Sequence, residues 1–172
     1  GETAIGVNVL RNDAQAALAV ATVAGADFIR VNVHAGAMVT DQGIVEGRAA
    51  ETLRERARLG SETLIFADIA VKHARPLGNA VPIEELAEET FERGLADALI
   101  VTGTGTGKQT SQNDVTRVRQ ALPQAPVLVG SGATVDDVRD ILSIADGVIV
   151  GTALKEDGVV TNPVDTGRAA AF

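Results

Sequence analysis

The chain has 172 residues, 45% hydrophobic and 22% charged but only 2% aromatic, with 18 glycines, 4 phenylalanines, no tryptophan and no tyrosine. That length fills one ordinary core, and the composition argues against an aromatic-rich β-sandwich and for Ala, Val, Ile and Leu packed between parallel strands and helices. An excess of 23 acidic over 15 basic residues (net charge −8) counts against nucleic-acid partners, and the lack of cysteine removes disulfides, thiolate zinc sites, iron–sulfur clusters and cysteine catalysis.

Short β-rich runs alternate with helical ones. Strands are predicted over Ile5–Val9, Phe28–Val31, Leu64–Ile69, Ala98–Thr102, Pro126–Val129 and Val148–Val150. Helices are predicted over Asp13–Ala24, Glu46–Leu59, Ile83–Arg93, Gln112–Leu122 and Val135–Ile144, where apolar residues recur every three or four positions. Such alternation means right-handed βαβ crossovers and a parallel sheet. Asn12 or Asp13 suits a first helix cap, Pro82 an early helical turn and Thr134 a later cap, while Gly25, Gly60, Gly94 and Gly147 read as helix stops. The segments Ala24-Gly25-Ala26-Asp27, Arg58-Leu59-Gly60-Ser61-Glu62, Arg93-Gly94-Leu95-Ala96-Asp97 and Ile144-Ala145-Asp146-Gly147 each lead from helix into strand.

A doubly wound open sheet uses the same grammar, but the expectation is an α/β fold of the (β/α)₈ TIM-barrel type, residues 1–172 forming a single barrel domain with about six of the eight units. The missing units are expected to be N-terminal, making this chain the C-terminal three-quarters of a longer barrel. Uncovered sheet edges would then favour a homo-oligomer. No apolar run approaches the roughly 20 residues of a spanning helix, and no signal peptide is read, so a cytoplasmic protein is expected, with peripheral membrane association left open.

Side chains alternate along a strand, and charge facing the helices would be buried, so polar residues of common parity are expected to face the barrel interior. Arg30, Asn32 and His34 share one parity after Phe28, Asp68 and Lys72 share another set, and Asn8 and Thr102 repeat the arrangement. Arg30, Asn32, His34, Asp68 and Lys72 are therefore the candidate catalytic residues, with Asn8, His73 and Thr102 as further polar pocket residues. The alternative is an Arg30–Asp68 ion pair across neighbouring strands, with Asn32 satisfying backbone, and no chemistry. His34 is a candidate general acid or base, and Lys72 a phosphate partner, base or Schiff-base amine.

Glycine-rich loops follow three strands: Thr102-Gly103-Thr104-Gly105-Thr106-Gly107-Lys108, Gly130-Ser131-Gly132-Ala133-Thr134 and Gly151-Thr152-Ala153. Such loops let backbone amides approach an anion. Gly103, Gly105, Gly130, Ser131, Gly132, Gly151 and Thr152 are accordingly expected to hold phosphate, the last two loops standing where barrels keep that site. The first is no P-loop, because the leading glycine is absent and Gln109 replaces the hydroxyl residue; a lid is the better use. His34, Asp41, Asp68 and His73 are too scattered to claim a metal site, and no cofactor is predicted. A phosphorylated small molecule is the expected ligand.

The chain resembles the BtpA (BtpA/SgcQ) family. The resemblance rests on Gly6-Val7-Asn8-Val9-Leu10-Arg11-Asn12-Asp13, Phe28-Ile29-Arg30-Val31-Asn32-Val33-His34, Gly36-Ala37-Met38-Val39-Thr40-Asp41-Gln42-Gly43, Phe66-Ala67-Asp68-Ile69-Ala70-Val71-Lys72-His73-Ala74, Ala96-Asp97-Ala98-Leu99-Ile100-Val101-Thr102-Gly103 and Gly147-Val148-Ile149-Val150-Gly151-Thr152-Ala153-Leu154-Lys155. It implies a ribulose-phosphate-binding-like barrel, in a family whose cyanobacterial members are linked to photosystem I biogenesis, and supplies no settled catalytic residues. Two functions are therefore expected: acid–base chemistry on a small phosphorylated metabolite (lyase, isomerase or hydrolase), or non-enzymatic assembly of a membrane-protein complex as partner.

Overall fold

A computed structural model describes residues 3–40, 43–69, 75–78, 81–103 and 110–172. In chain order these form β1 (Gly6–Val7), α1 (Ala14–Ala24), β2 (Phe28–Val31), β3 (Ala37–Thr40), β4 (Gly43–Glu46), α2 (Ala49–Arg58), β5 (Leu64–Asp68) and β6 (Arg75–Pro76). They continue with α3 (Ile83–Glu88), extended by a π-helical turn over Glu89–Arg93, then β7 (Ala98–Val101), α4 (Gln112–Ala121), β8 (Val127–Val129), α5 (Val138–Ile141) and β9 (Gly147–Val148). Two 3₁₀ turns, Thr152–Leu154 and Glu156–Gly158, precede α6 (Thr166–Ala171).

Six strands make one parallel sheet in the order β1-β2-β5-β7-β8-β9. Each new strand lies beside its predecessor in that sheet, so every crossover steps the same way. A doubly wound sheet would reverse at a switch point; this one follows the barrel order and is a partial (β/α)₈ barrel with β1 and β9 as its edges.

Alternation sorts the two faces. Ile29, Val31 and Ile65 pack outward against Ala17, Leu18 and Ala21 of α1, while Leu99, Val101, Val127 and Val129 pack against Val115 and Val118 of α4. Phe28 and Phe66 stack at 4.4 Å between neighbouring strands β2 and β5. Above them on the inner face lie Arg30, Asp68 and Gly130.

Three of the four helix-to-strand segments share a specific structural use. Asp27, Asp97 and Asp146 each accept a side-chain hydrogen bond from the backbone N–H at the start of the preceding parallel strand, Ile5 at 2.7 Å, Ile65 at 2.8 Å and Val127 at 2.8 Å. Each also donates its own N–H back to the carbonyl of that residue, at 2.8 Å in all three cases. Donors at the foot of the sheet, which would otherwise lack a partner, are thereby satisfied. Arg56 pairs with Asp97 at 2.8 Å, and Arg119 pairs with Asp146.

Some sequence expectations change. The first helix is capped by Asp13, which accepts from Ala16 N at 2.9 Å, and it stops at Gly25 in a left-handed conformation. The predicted helix from Glu46 starts only at Ala49, because Glu46 belongs to β4. That strand joins β3 and β6 in a separate three-stranded antiparallel sheet absent from the alternating pattern. Its strands are two to four residues long, too short for periodicity to register. The last strand shifts back to Gly147–Val148, and the helix expected over Val135–Ile144 shrinks to α5, whose first turn is led by Asp137 accepting from Thr134 N at 2.7 Å. Among the described residues, no helix is long and apolar enough to cross a membrane.

Removing one aspartate leaves a strand-end N–H without its side-chain acceptor. Asp97→Ala, which also frees Arg56, is expected to lower stability by about 1–2 kcal/mol, measurable by urea unfolding.

Candidate functional site

The polar interior is organised by one carboxylate. Asp68, at the end of β5 with 2% of its side chain exposed, accepts from Arg30 Nε and Nη2 at 3.1 and 3.0 Å on one oxygen. On its other oxygen it accepts from Arg30 Nη2 at 3.0 Å and Asn32 Nδ2 at 2.7 Å. Asn8, just past β1, donates to the Arg30 carbonyl at 2.8 Å and more weakly to Asn32 Oδ1 at 3.4 Å. Asn8, Arg30, Asn32 and Asp68 thus form a continuous network across three strands. Arg30 keeps 23% of its side chain exposed, so its guanidinium is anchored by the carboxylate and still reaches open space.

That space is a cavity of about 610 Å³. Two of the glycine-rich loops, Gly130–Thr134 after β8 and Gly151–Ala153 after β9, line it together with Arg30, Asp136 and Ile149. Gly130 is required by close approach: a Cβ there would lie 2.6 Å from Thr102 Cγ2 and 2.7 Å from Ile100 Cγ2, and 3.5 Å from Arg30 Nη2. Gly132 holds φ at +75°, a left-handed conformation that disfavours side chains. Between them, Ser131 is buried; its carbonyl accepts from Thr110 Oγ1 at 3.0 Å, while its hydroxyl has no hydrogen-bond partner among the described residues. A buried hydroxyl at a cavity wall without a protein partner costs stability unless solvent or a ligand meets it.

The far wall comes from a helix the sequence reading passed over. Arg168, Ala171 and Phe172, in α6 and just after it, line the same cavity. The signal was present in Asp165, a cap, and in Arg168 and the three alanines after it, strong helix formers that outlast the weak Thr166-Gly167 start. Asp165 accepts from Arg168 N at 3.0 Å, as a cap should.

The structure does not bring all the candidates together. His34 lies outside the network and does not line this cavity. Regular β2 ends at Val31, so strand parity no longer governs its direction. Its side chain is buried, and Nε2–H donates to the Gly94 carbonyl at 2.8 Å, the end of the π-helical turn before β7, while Nδ1 has no partner among the described residues. Burial holds its pKa below the ordinary value, only partly offset by the Gly94 carbonyl. Thr102 is buried beneath Gly130, and Gly103 is buried just beyond β7, away from the cavity lining. Lys72, His73 and Gly105 lie outside the described residues, as does Asp41. Among the described residues, no three His, Asp or Glu side chains cluster as a metal site.

Comparisons with known proteins place this geometry. The model of the BtpA family matches residues 2–172. The photosystem I biogenesis protein BtpA of Synechocystis is 46% identical over 98% of this chain and 58% of its own length. The uncharacterized protein TK2179 of Thermococcus kodakarensis is 47% identical over 96% of this chain and 62% of its own. The chain therefore spans about three-fifths of the length of these relatives. Among solved structures, thiamine phosphate pyrophosphorylase from Pyrococcus furiosus aligns with a TM-score of 0.61, over 99% of this chain and 80% of that one, at 16% identity, a likeness of fold.

Two outcomes follow. Asp68→Ala, which strands a charged Arg30, is expected to destabilise by about 3 kcal/mol, and the double variant Arg30→Met/Asp68→Leu by less, both read from urea midpoints. Because the folded protein resists protonating His34, the unfolded state binds more protons as pH falls below about 6.5, and stability falls with it. His34→Gln should flatten the pH dependence of the urea midpoint between pH 7.5 and 5.5.

Proposed function

The chain belongs to the BtpA family, and from that premise we propose that its cavity binds a small phosphorylated metabolite and carries out acid–base chemistry on it. The observation that carries this reading is the convergence on one cavity of two glycine-rich loops, Ser131, whose hydroxyl has no partner among the described residues, and the arginines Arg30 and Arg168. The loops offer backbone amides that approach an anion without a Cβ in the way, and Ser131 has a hydroxyl to donate. Gly130, Ser131, Gly132, Gly151 and Thr152 hold the phosphate in this reading.

The reacting end then meets Arg30. Asp68 is occupied by Arg30 and Asn32, so it acts as a positioning residue that fixes the cation rather than as a free base. A fixed guanidinium stabilises negative charge developing on a substrate oxygen, as isomerisation, aldol cleavage or hydrolysis each require. Asp136 at the rim disfavours a second anionic group on that side.

A second reading follows from the 46% identity to a protein named for photosystem I biogenesis: a factor that assists a membrane-protein complex without catalysis.

The two separate in thermal unfolding with inorganic phosphate, ribose 5-phosphate or glycerol 3-phosphate. A ligand specific to the native state at a hundred times its Kd adds about 2.7 kcal/mol, a rise in Tm of several degrees. Gly132→Asp, which sets a carboxylate into the loop, is expected to abolish that rise. Unchanged Tm with all three compounds would favour the assembly factor.

A further inference from the structure

The phosphate reading leaves the rest of the cavity unaccounted for. About 610 Å³ is far more than one phosphate group fills. Beyond the glycine loops, Arg30, Asp136 and Arg168 are the charged lining residues, and Val135, Ile149, Ala171 and Phe172 give the rest an apolar face.

Arg168, Ala171 and Phe172 stand at helical spacings of three and four, so α6 and its end turn one face toward the cavity. That face is fixed in place. Asp165 N donates to Leu154 O at 2.8 Å, Glu156 N donates to Pro163 O at 3.0 Å, and an antiparallel bridge joins Lys155 to Val164. These contacts tie α6 to the loop that follows Gly151. Arg168 itself has no carboxylate within ion-pair distance among the described residues; its Nη1 makes a long 3.5 Å hydrogen bond to Ala153 O. Arg30 has its charge matched by Asp68, so among the described residues Arg168 is the lining cation with charge to spare.

Resting on the phosphate reading above, we propose that the ligand is a phosphate monoester of an apolar, ring-bearing group, its phosphate held between the glycine loops and Arg168 and its body lying against Phe172, Val135 and Ile149. Where it lies against Val135, Ile149, Ala171 and Phe172, a polyol phosphate would leave hydroxyls without partners, whereas an aromatic or heterocyclic body gains by burial. Phe172 and Arg168 are then the residues that set specificity, one for the body and one for the charge.

Calorimetric titration of the 172-residue chain with inorganic phosphate, glycerol 3-phosphate and phenyl phosphate tests this. Phenyl phosphate is expected to bind roughly tenfold tighter than glycerol 3-phosphate, the scale at which hydrophobic pockets discriminate. In Phe172→Ala that advantage should shrink to less than about threefold with glycerol 3-phosphate unaffected. In Arg168→Gln all three compounds should weaken together. Equal affinity for the two esters, or an advantage that survives Phe172→Ala, would overturn the assignment while leaving a phosphate site in place. Failure of all three to bind, inorganic phosphate included, would remove the phosphate reading and this assignment with it.

Discussion

A carboxylate buried on the concave face of a parallel sheet must be matched by donors, and most of the interior follows from how Asp68 is matched. Two nitrogens of Arg30 and the amide of Asn32 close on it, and Asn8 closes on them in turn. The arrangement links β1, β2 and β5 through side chains as well as through the ladder. It also decides where Arg30 can point. With Nε and Nη2 held by the carboxylate, the guanidinium plane is fixed, and the group extends to the loop after β8, where Gly130, kept free of a Cβ by Thr102 and Ile100, lies beside it. An ion pair that could be a purely structural device also presents a preorganised cation to a cavity. The two roles considered for these residues are compatible.

The inner face was readable from the sequence because the β2 and β5 segments are regular. Arg30 and Asp68 sit at alternate positions among Ile, Val, Phe and Ala, and a charge of that parity has nowhere else to go. The same rule failed for His34, because alternation constrains direction only while the backbone stays extended, and β2 ends at Val31. The histidine instead turns to the Gly94 carbonyl, a contact between residues sixty apart that no local pattern encodes. The glycine loops were legible from composition, and their meeting around one cavity followed from their place after the last two strands.

What escaped was short. The antiparallel sheet of β3, β4 and β6 uses strands of two to four residues, and α6 is a six-residue helix whose position depends on a bridge between Lys155 and Val164. Elements of that size are held by tertiary contacts more than by their own propensities. Yet α6 supplies Arg168, Ala171 and Phe172 to the cavity. The half of the site built on regular strands is plain in the pattern, and the half carried by a short terminal element shows there only as a cap and a few alanines.

The three aspartates at the foot of the sheet give the chain a direction. Each belongs to the segment entering a new strand but completes the strand already laid down before it: Asp27 for β1, Asp97 for β5, Asp146 for β8. Every strand so served waits on residues made later, so a nascent chain emerging from the ribosome would close each unit only when its successor arrives. The parallel sheet is in that sense ratified from behind, one crossover at a time, and its cooperativity runs against the order of synthesis.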